Sequence, residues 1–356
     1  MNILYIGEET RNWIILLANE IALSDNDITV VVKKYDEYDD GNRVEPIDRV
    51  TVVEVENEAF FHPFMIDDFI EKKNMKKFDV VYGSHIIACV PVASIGKIYN
   101  IPYGMQVLDV PMDLMKQEPT RMNNWKLYRS VLKDVSSMTF ITKKARDDWY
   151  LFTGKKYPDS NIITYAAIID DKYEKTGIEV KGNYVVSACR LTPIKNINMI
   201  TRALTLIDRP IKQVVIGRDR GDKLTIENIA KENNIEVIFK NSIPEDEKAQ
   251  LIRDSLCVVY PQQTEYIGGL NPWEGMMIGK PVLCTDYDIL KDLYENGVTY
   301  FDKTSAEALA DEITKIYDNE YDKDRLREIS DFAYYKACYE NMAVRILDVF
   351  DKMVKK

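Results

Sequence analysis

The sequence predicts an α/β protein of two tandem Rossmann-like domains facing a central cleft. Three observations carry this expectation. The chain has 356 residues, which at roughly 100–200 residues per domain suits two domains with a full core each. Short β-branched runs alternate with stretches that carry apolar residues at helical spacing, the signature of βαβ units and a parallel sheet. The alternation halts at a polar stretch, Asp170 to Gly182, and then restarts. Residues 1–170 are therefore expected to form a first domain, 171–330 a second, and 331–356 a C-terminal helical tail.

Ile3–Gly7 is an apolar run ending in glycine and reads as the first strand. Asn12–Ala22 places Ile15, Leu16, Ala18, Ile21 and Ala22 on one helical face, with Trp13 and its apolar neighbours in the core. Asp27–Lys33 and Val50–Val55 are strands. A run such as TVVV is apolar on both faces, as a parallel strand covered by helices on both sides requires. Phe78–Tyr82 is a strand after a Lys-rich helical stretch, Ser84–Tyr99 a helix rich in small residues, and Tyr103–Val110 and Ser137–Thr142 further strands. In the second half, strands are expected at Tyr184–Ala188, Lys212–Gly217, Glu236–Phe239, Leu256–Tyr260 and Pro281–Thr285. Helices are expected at Met199–Ile207, Lys223–Asn234, Glu245–Arg253, Trp273–Gly279, Ala306–Tyr317 and, as one tract, Arg325–Lys355.

Composition narrows the function. Hydrophobic residues make up 46% and charged residues 29%, which excludes a disordered chain, a collagen-like repeat and a disulfide-stapled miniprotein. Lys plus Arg is 47 against 58 Asp plus Glu, a net charge of −11. That argues against a general nucleic-acid binder, which needs clustered cations. Five cysteines (Cys89, Cys189, Cys257, Cys284 and Cys338) sit in apolar runs without a CxxC pair, as buried thiols of a cytoplasmic protein would. Only two histidines are present, His62 and His85, so a His-rich zinc centre is excluded and no metal is expected. No run approaches the ~20 apolar residues of a membrane span. The start, MNILYIGEE, lacks a basic region and reads as a strand rather than a signal peptide.

Two tracts carry chemistry-bearing residues. Tyr260–Thr285 runs from strand through a Pro-marked loop and two glycines into a helix start. Gly268 and Gly269 permit close backbone approach to a ligand. The amides from Gly269 through Leu270 to Asn271 lie at the start of a helix that favours an anion such as diphosphate. Glu274, in the first turn, suits the hydroxyls of a ribose, and Glu265 suits a sugar hydroxyl. The plain alternative is a βαβ turn with a helix-favouring Glu. The second tract, Ser187–Asn196, brings Arg190 and Lys195 back together through Pro193. An Arg fork and a Lys point charge form a clamp for a leaving diphosphate, the alternative being two solvated loop cations.

With these tracts in place the sequence resembles the GT-B retaining glycosyltransferases, specifically the large family four that uses nucleotide-diphosphate sugars. The resemblance covers most of the chain and is strongest from Tyr184 to Tyr317. It rests on an Arg-x4-Lys clamp (Arg190, Lys195), a strand ending in Gly217, a strand and loop over Val237–Ile243, and a Glu pair (Glu265, Glu274). Ile101-Pro102, Ile141-Thr142 and Ile163–Asp170 fit the family's N-terminal half and interdomain segment. Three departures are visible. Eight residues separate Glu265 and Glu274 where the family has seven. The Gly-Gly loop after the first strand is replaced by Gly7-Glu8-Glu9-Thr10-Arg11. The His common after the fifth N-domain strand is missing from Met105–Pro111, where Asp109 stands instead.

The resemblance implies a retaining, metal-independent, front-face transfer, with no cofactor and a UDP- or GDP-linked sugar as donor. Arg190, Lys195 and Glu265 would be catalytic. Gly268, Gly269, Leu270, Asn271, Glu274 and Gly217 would bind the donor, with the base held by backbone at Asn241 and Ile243 and with Gly7 on the first domain. Asp109 and His85 would face the acceptor, a glycan or glycolipid; a helix or turn cap is the alternative for Asp109, and a cap or a buried histidine for His85. The C-terminal helix would cross back onto the first domain. The patch FFHPFM around His62 is expected to pack, with a membrane-facing or acceptor surface as its alternative, and Lys72–Lys77 to be a solvated face. Two other functions compete: a phage-type DNA-modifying glycosyltransferase, and a degenerate GT-B protein that binds nucleotide-sugar or glycan without turnover.

Overall fold

A computed structural model describes the chain except for residues 8–10, 34–43, 57–77, 109–110, 112–121, 159–160, 164–172, 174–179, 181, 264–267 and 356. The chain divides into two compact units. The first takes the chain through Ala166 together with Tyr339–Lys356, and the second takes Ala167–Cys338.

The first unit holds β1 (Asn2–Gly7), β2 (Asp27–Lys33), β3 (Val50–Val55), β4 (Val80–Ser84), β5 (Tyr103–Val107) and β6 (Ser137–Phe140). They form one parallel sheet in the order β3-β2-β1-β4-β5-β6. Helices α1 (Arg11–Ala22), α2 (Cys89–Tyr99), α3 (Met122–Leu132) and α4 (Lys143–Thr153) accompany it. Local chemistry sets the helix ends. In α4 the Thr142 hydroxyl accepts from the Ala145 amide at 3.0 Å, and Gly154 closes the other end in a left-handed conformation. The C-terminal helix α12 (Tyr339–Val354) also belongs here. Its Tyr339, Met342, Ile346, Val349 and Phe350 share a core with Trp13, Ile14 and Leu17 of α1. The Phe350 and Tyr82 rings meet edge to face at 4.9 Å.

The second unit repeats the plan. It holds β7 (Tyr184–Ala188), β8 (Lys212–Ile216), β9 (Val237–Lys240), β10 (Cys257–Tyr260), β11 (Val282–Thr285) and β12 (Thr299–Phe301) in the order β12-β11-β10-β7-β8-β9. Helices α5 (Asn198–Leu204), α6 (Lys223–Asn233), α7 (Glu245–Arg253), α8 (Asn271–Ile278), α9 (Asp288–Tyr294), α10 (Ala306–Tyr317) and α11 (Lys323–Ala337) belong to it. Both sheets reverse strand order once, between β1 and β4 and between β7 and β10. In open parallel sheets ligands bind beyond the carboxyl ends of the strands at that reversal.

Some expectations need correction. Arg325–Lys355 is not one helix: Cys338 adopts an extended conformation (φ −80°, ψ 151°) and separates α11 from α12. Phe332 of α11 packs on Trp273, with ring centroids 6.0 Å apart, and Tyr335 is exposed. Ser84 ends β4, and a 3-10 turn at Ile86–Ala88 precedes α2. The strand starting at Tyr103 stops at Val107. The short elements α9 and β12, and the helices α3 and α4, were not anticipated. Among the described residues no helix is long and apolar enough to cross a membrane.

Candidate functional site

The strand reversal of the second unit gathers the most chemistry. After β7 the chain turns through a 3-10 segment, Pro193–Lys195. Lys195 ends that turn and reaches the chain leaving β10. Its ammonium donates to the Tyr260 hydroxyl at 2.6 Å and to Gln262 Oε1 at 2.7 Å. Tyr260 donates to the same Gln262 oxygen at 2.7 Å, and the ammonium lies 4.9 Å from the Tyr260 ring centre. Tyr260 and Gln262 are both about 1% exposed. Thr285 Oγ1 donates to the Gln262 carbonyl at 2.8 Å, which ties the loop to β11. The lysine is thus held by neutral partners, and among the described residues no carboxylate pairs with it. Burial, with the nearby Arg190 charge adding to it and Cys189 opposing it, lowers the Lys195 ammonium to about 8.

Arg190 is exposed on the same loop. The loop is pinned below it: Cys189 donates its amide to Ile216 at 2.9 Å, and Leu191 donates to Arg218 at 2.9 Å. Gly217 is where the two backbones touch. It has φ +144°, and a Cβ there would stand 2.0 Å from the Cys189 carbonyl oxygen, so only glycine fits.

Asn271 opens α8. Its Oδ1 accepts from the Ala188 amide at 2.9 Å, joining the helix start to the end of β7, and its Nδ2 donates to Glu274 Oε2 at 3.4 Å. Glu274 is 3% exposed. Its Oε1 takes a salt bridge from Lys248 of α7 at 2.9 Å, and Lys248 also meets Glu245 at 2.5 Å. The Tyr173 hydroxyl donates to Glu245. Burial pushes the Glu274 carboxyl up, against the pull of the Lys248 ammonium. Burial also opposes the Lys248 charge, but Glu274 and Glu245 outweigh it and hold that ammonium above its usual range. The Glu274 carboxylate expected to face a ribose is therefore braced from within the protein on both oxygens, with one lone-pair site left on each.

Gly268 and Gly269 have a packing reason to be glycine. A Cβ on Gly268 would meet Leu293 at 2.4 Å and the Tyr294 hydroxyl at 2.5 Å, and one on Gly269 would meet Tyr260 at 2.8 Å. Tyr294 donates to the Gly269 carbonyl at 2.6 Å. Leu270 is partly exposed just before α8. Asn241 and Ile243 follow β9, the edge strand, with β8 between it and β7. Gly7 ends β1 opposite Ser84 of β4, at the strand reversal of the first unit. His85 follows directly, half-buried, with φ +66°, at the start of the 3-10 turn, which its side chain does not cap. Glu265, Asp109, Glu8, Glu9, Thr10, His62 and the Lys72–Lys77 cluster lie outside the described residues.

Sequence reasoning missed Tyr260, Gln262, Lys248, Glu245 and Tyr173. Tyr260 reads as the end of a core strand, and Lys248 as one charge on a solvated helix. Only their contacts in the folded chain mark them. Among the described residues no group of His, Cys, Asp and Glu gathers as a metal site.

Residues 169–332 match the family model of glycosyl transferases group 1. No curated protein matches the chain at a significant level. Similar solved structures extend over the whole length. HepE from Anabaena in complex with UDP is 14% identical, with a TM-score of 0.79 over 99% of this chain and 100% of that one. Sucrose-phosphate synthase from Thermosynechococcus elongatus is 14% identical, with a TM-score of 0.80 over 100% and 99%. A glycosyltransferase from Rickettsia africae is 14% identical, with a TM-score of 0.71 over 100% and 99%. The fold is GT-B, with two Rossmann-like domains.

Proposed function

We propose that the protein is a glycosyltransferase that moves a sugar from a nucleoside-diphosphate sugar to an acceptor hydroxyl, with retention and without metal. The observation that carries the reading is the Lys195 ammonium, held by Tyr260 and Gln262 at the β7–β10 reversal within the segment that matches the glycosyl transferases group 1 model. Arg190 shares its loop, and Asn271 starts a helix beside it. Two cations and a helix start suit a diphosphate, and fixed charges act most strongly where negative charge grows as the leaving group departs. HepE was solved with UDP and with UDP-glucose, which favours a UDP-linked donor here.

In this scheme the bond between the sugar anomeric carbon and the diphosphate oxygen breaks while the acceptor oxygen bonds to the same face. The acceptor proton passes to the departing phosphate oxygen, so no protein base is required. Arg190 and Lys195 neutralise that oxygen. Glu265 contacts the sugar, Glu274 the ribose, and backbone near Asn241 and Ile243 the base. Asp109 and His85 are acceptor-side residues for a glycan or glycolipid.

The test is incubation with UDP-, GDP- and ADP-sugars and glycan or glycolipid acceptors, with nucleotide release and the anomeric configuration of the product as readouts. Retained configuration with one donor, together with strong loss in Arg190→Ala and Lys195→Ala while both stay folded, is the expected result. Nucleotide binding without release from any donor would leave a nucleotide-sugar-binding protein and sink the enzymatic reading.

A further inference from the structure

A cavity of about 400 Å³ opens in the second unit beside the carboxyl ends of β10, β11 and β12. Arg202 of α5 and Lys303 of the loop after β12 both line it, and among the described residues no carboxylate does. That polarity is notable in a chain with 58 acidic residues against 47 basic ones.

The two cations are uncommitted among the described residues. The Arg202 guanidinium makes no hydrogen bond or ion pair there. The Lys303 ammonium stands 4.2 Å above the Tyr287 ring centre without a carboxylate partner. The adjacent acid is engaged locally: Asp302 accepts from the Thr304 amide at 2.8 Å and hydroxyl at 2.7 Å, closing its own turn. The remaining wall is neutral and polar. Asn198 gives its Nδ2 to Asp222 at 3.2 Å and keeps its Oδ1 as an acceptor.

We propose that this cavity binds a small phosphate monoester. The Arg fork and Lys charge suit the phosphate, and the volume exceeds what the phosphate group alone would fill. The amides of Asn196 and Asn198 and the Thr304 hydroxyl suit the hydroxyls of an organic part. The site stands apart from the diphosphate clamp but shares a wall with it. Asn196 follows Lys195 on the same turn, and Gln263, another lining residue, donates its amide to the Ile194 carbonyl at 2.9 Å.

The test is calorimetric titration of the whole chain with glucose 6-phosphate, glycerol 3-phosphate, inorganic phosphate and glucose, in the wild type and in the Arg202→Gln/Lys303→Met double variant. Both substitutions are at exposed positions, and an unchanged thermal unfolding midpoint is the control for an intact fold. A phosphate monoester should bind the wild type more tightly than phosphate or glucose, lose about tenfold or more in the double variant, and leave UDP affinity unchanged. Absence of binding by either ester, equal binding in the double variant, or competition of the ester with UDP would each overturn the proposal. The outcome is independent of whether the protein transfers sugar.

Discussion

On the proposed function, Lys195 should make UDP binding pH-dependent in a range where the diphosphate stays ionised. Burial lowers its ammonium to about 8 in the free protein. By that value about nine-tenths of the lysine is charged at about pH 7 and about one-tenth at about pH 9. A diphosphate in contact with the ammonium stabilises its charged form, so binding above pH 8 must first add a proton. Affinity for UDP should then change little between about pH 7 and 7.5 and fall roughly tenfold by pH 9, about 1.4 kcal/mol. Titration calorimetry at fixed ionic strength across this range, in buffers of different ionisation enthalpy, measures both the slope and the proton taken up. Lys195→Met should bind more weakly with no slope and no proton uptake. Wild-type affinity that stays constant from pH 7 to 9, or an equal slope in Lys195→Met, would refute the placement of this lysine against the phosphate. The same shift has a stability sign. The depressed folded-state value means that the unfolded chain holds the proton more tightly between about 8 and 10.5, so the fold gains stability as pH rises through that window.

Three further outcomes follow from the geometry. Tyr260→Phe keeps the ring beneath Lys195 but removes one oxygen from its ammonium; turnover should fall about tenfold or more, in line with ~1.5–3 kcal/mol for a hydrogen bond to a charged group, with thermal unfolding as the control. Lys248→Met strands the Glu274 carboxylate in the interior, and breaking a buried pair this way costs about 3–5 kcal/mol, measurable by urea unfolding. Because burial raises the Glu274 carboxyl, that variant should lose stability as pH rises above about 4.5, the reverse of an ordinary surface-paired carboxylate. Gly217→Ala forces a side chain onto the Cys189 carbonyl at φ +144°; a loss of about 3 kcal/mol or more, or failure to accumulate folded protein, is expected, and wild-type stability would contradict the close approach of the two loops.

Much of the scaffold was legible because parallel strands covered on both faces must be apolar throughout. DITVVVK, LCVVY and PVLCT are too short and too β-branched for other elements, and each is a strand or ends in one. The weak points were elements too short to show a period, such as the three residues of β12 and the seven of α9. Cys338 left no mark either, since apolar spacing continues on both sides of it while the backbone does not.

The site divides in the same way. Loop cations after a strand, a glycine closing β8 and a Glu in a helix's first turn are local patterns, so Arg190, Lys195, Gly217 and Glu274 stood out in the sequence alone. What holds them did not. The Lys195–Tyr260 and Lys195–Gln262 bonds span 65 and 67 positions, the Asn271–Ala188 bond 83, and the Tyr173–Glu245 bond 72. Periodicity reports which side of its own element a residue occupies, whereas the partner is set by which strands lie side by side and how deeply water is excluded between them. Residue types and their order therefore determined the two-sheet scaffold and marked Lys195 as a candidate phosphate clamp, and the strand order of the second sheet decided that this lysine is desolvated against Tyr260 and Gln262, with a lowered affinity for its proton.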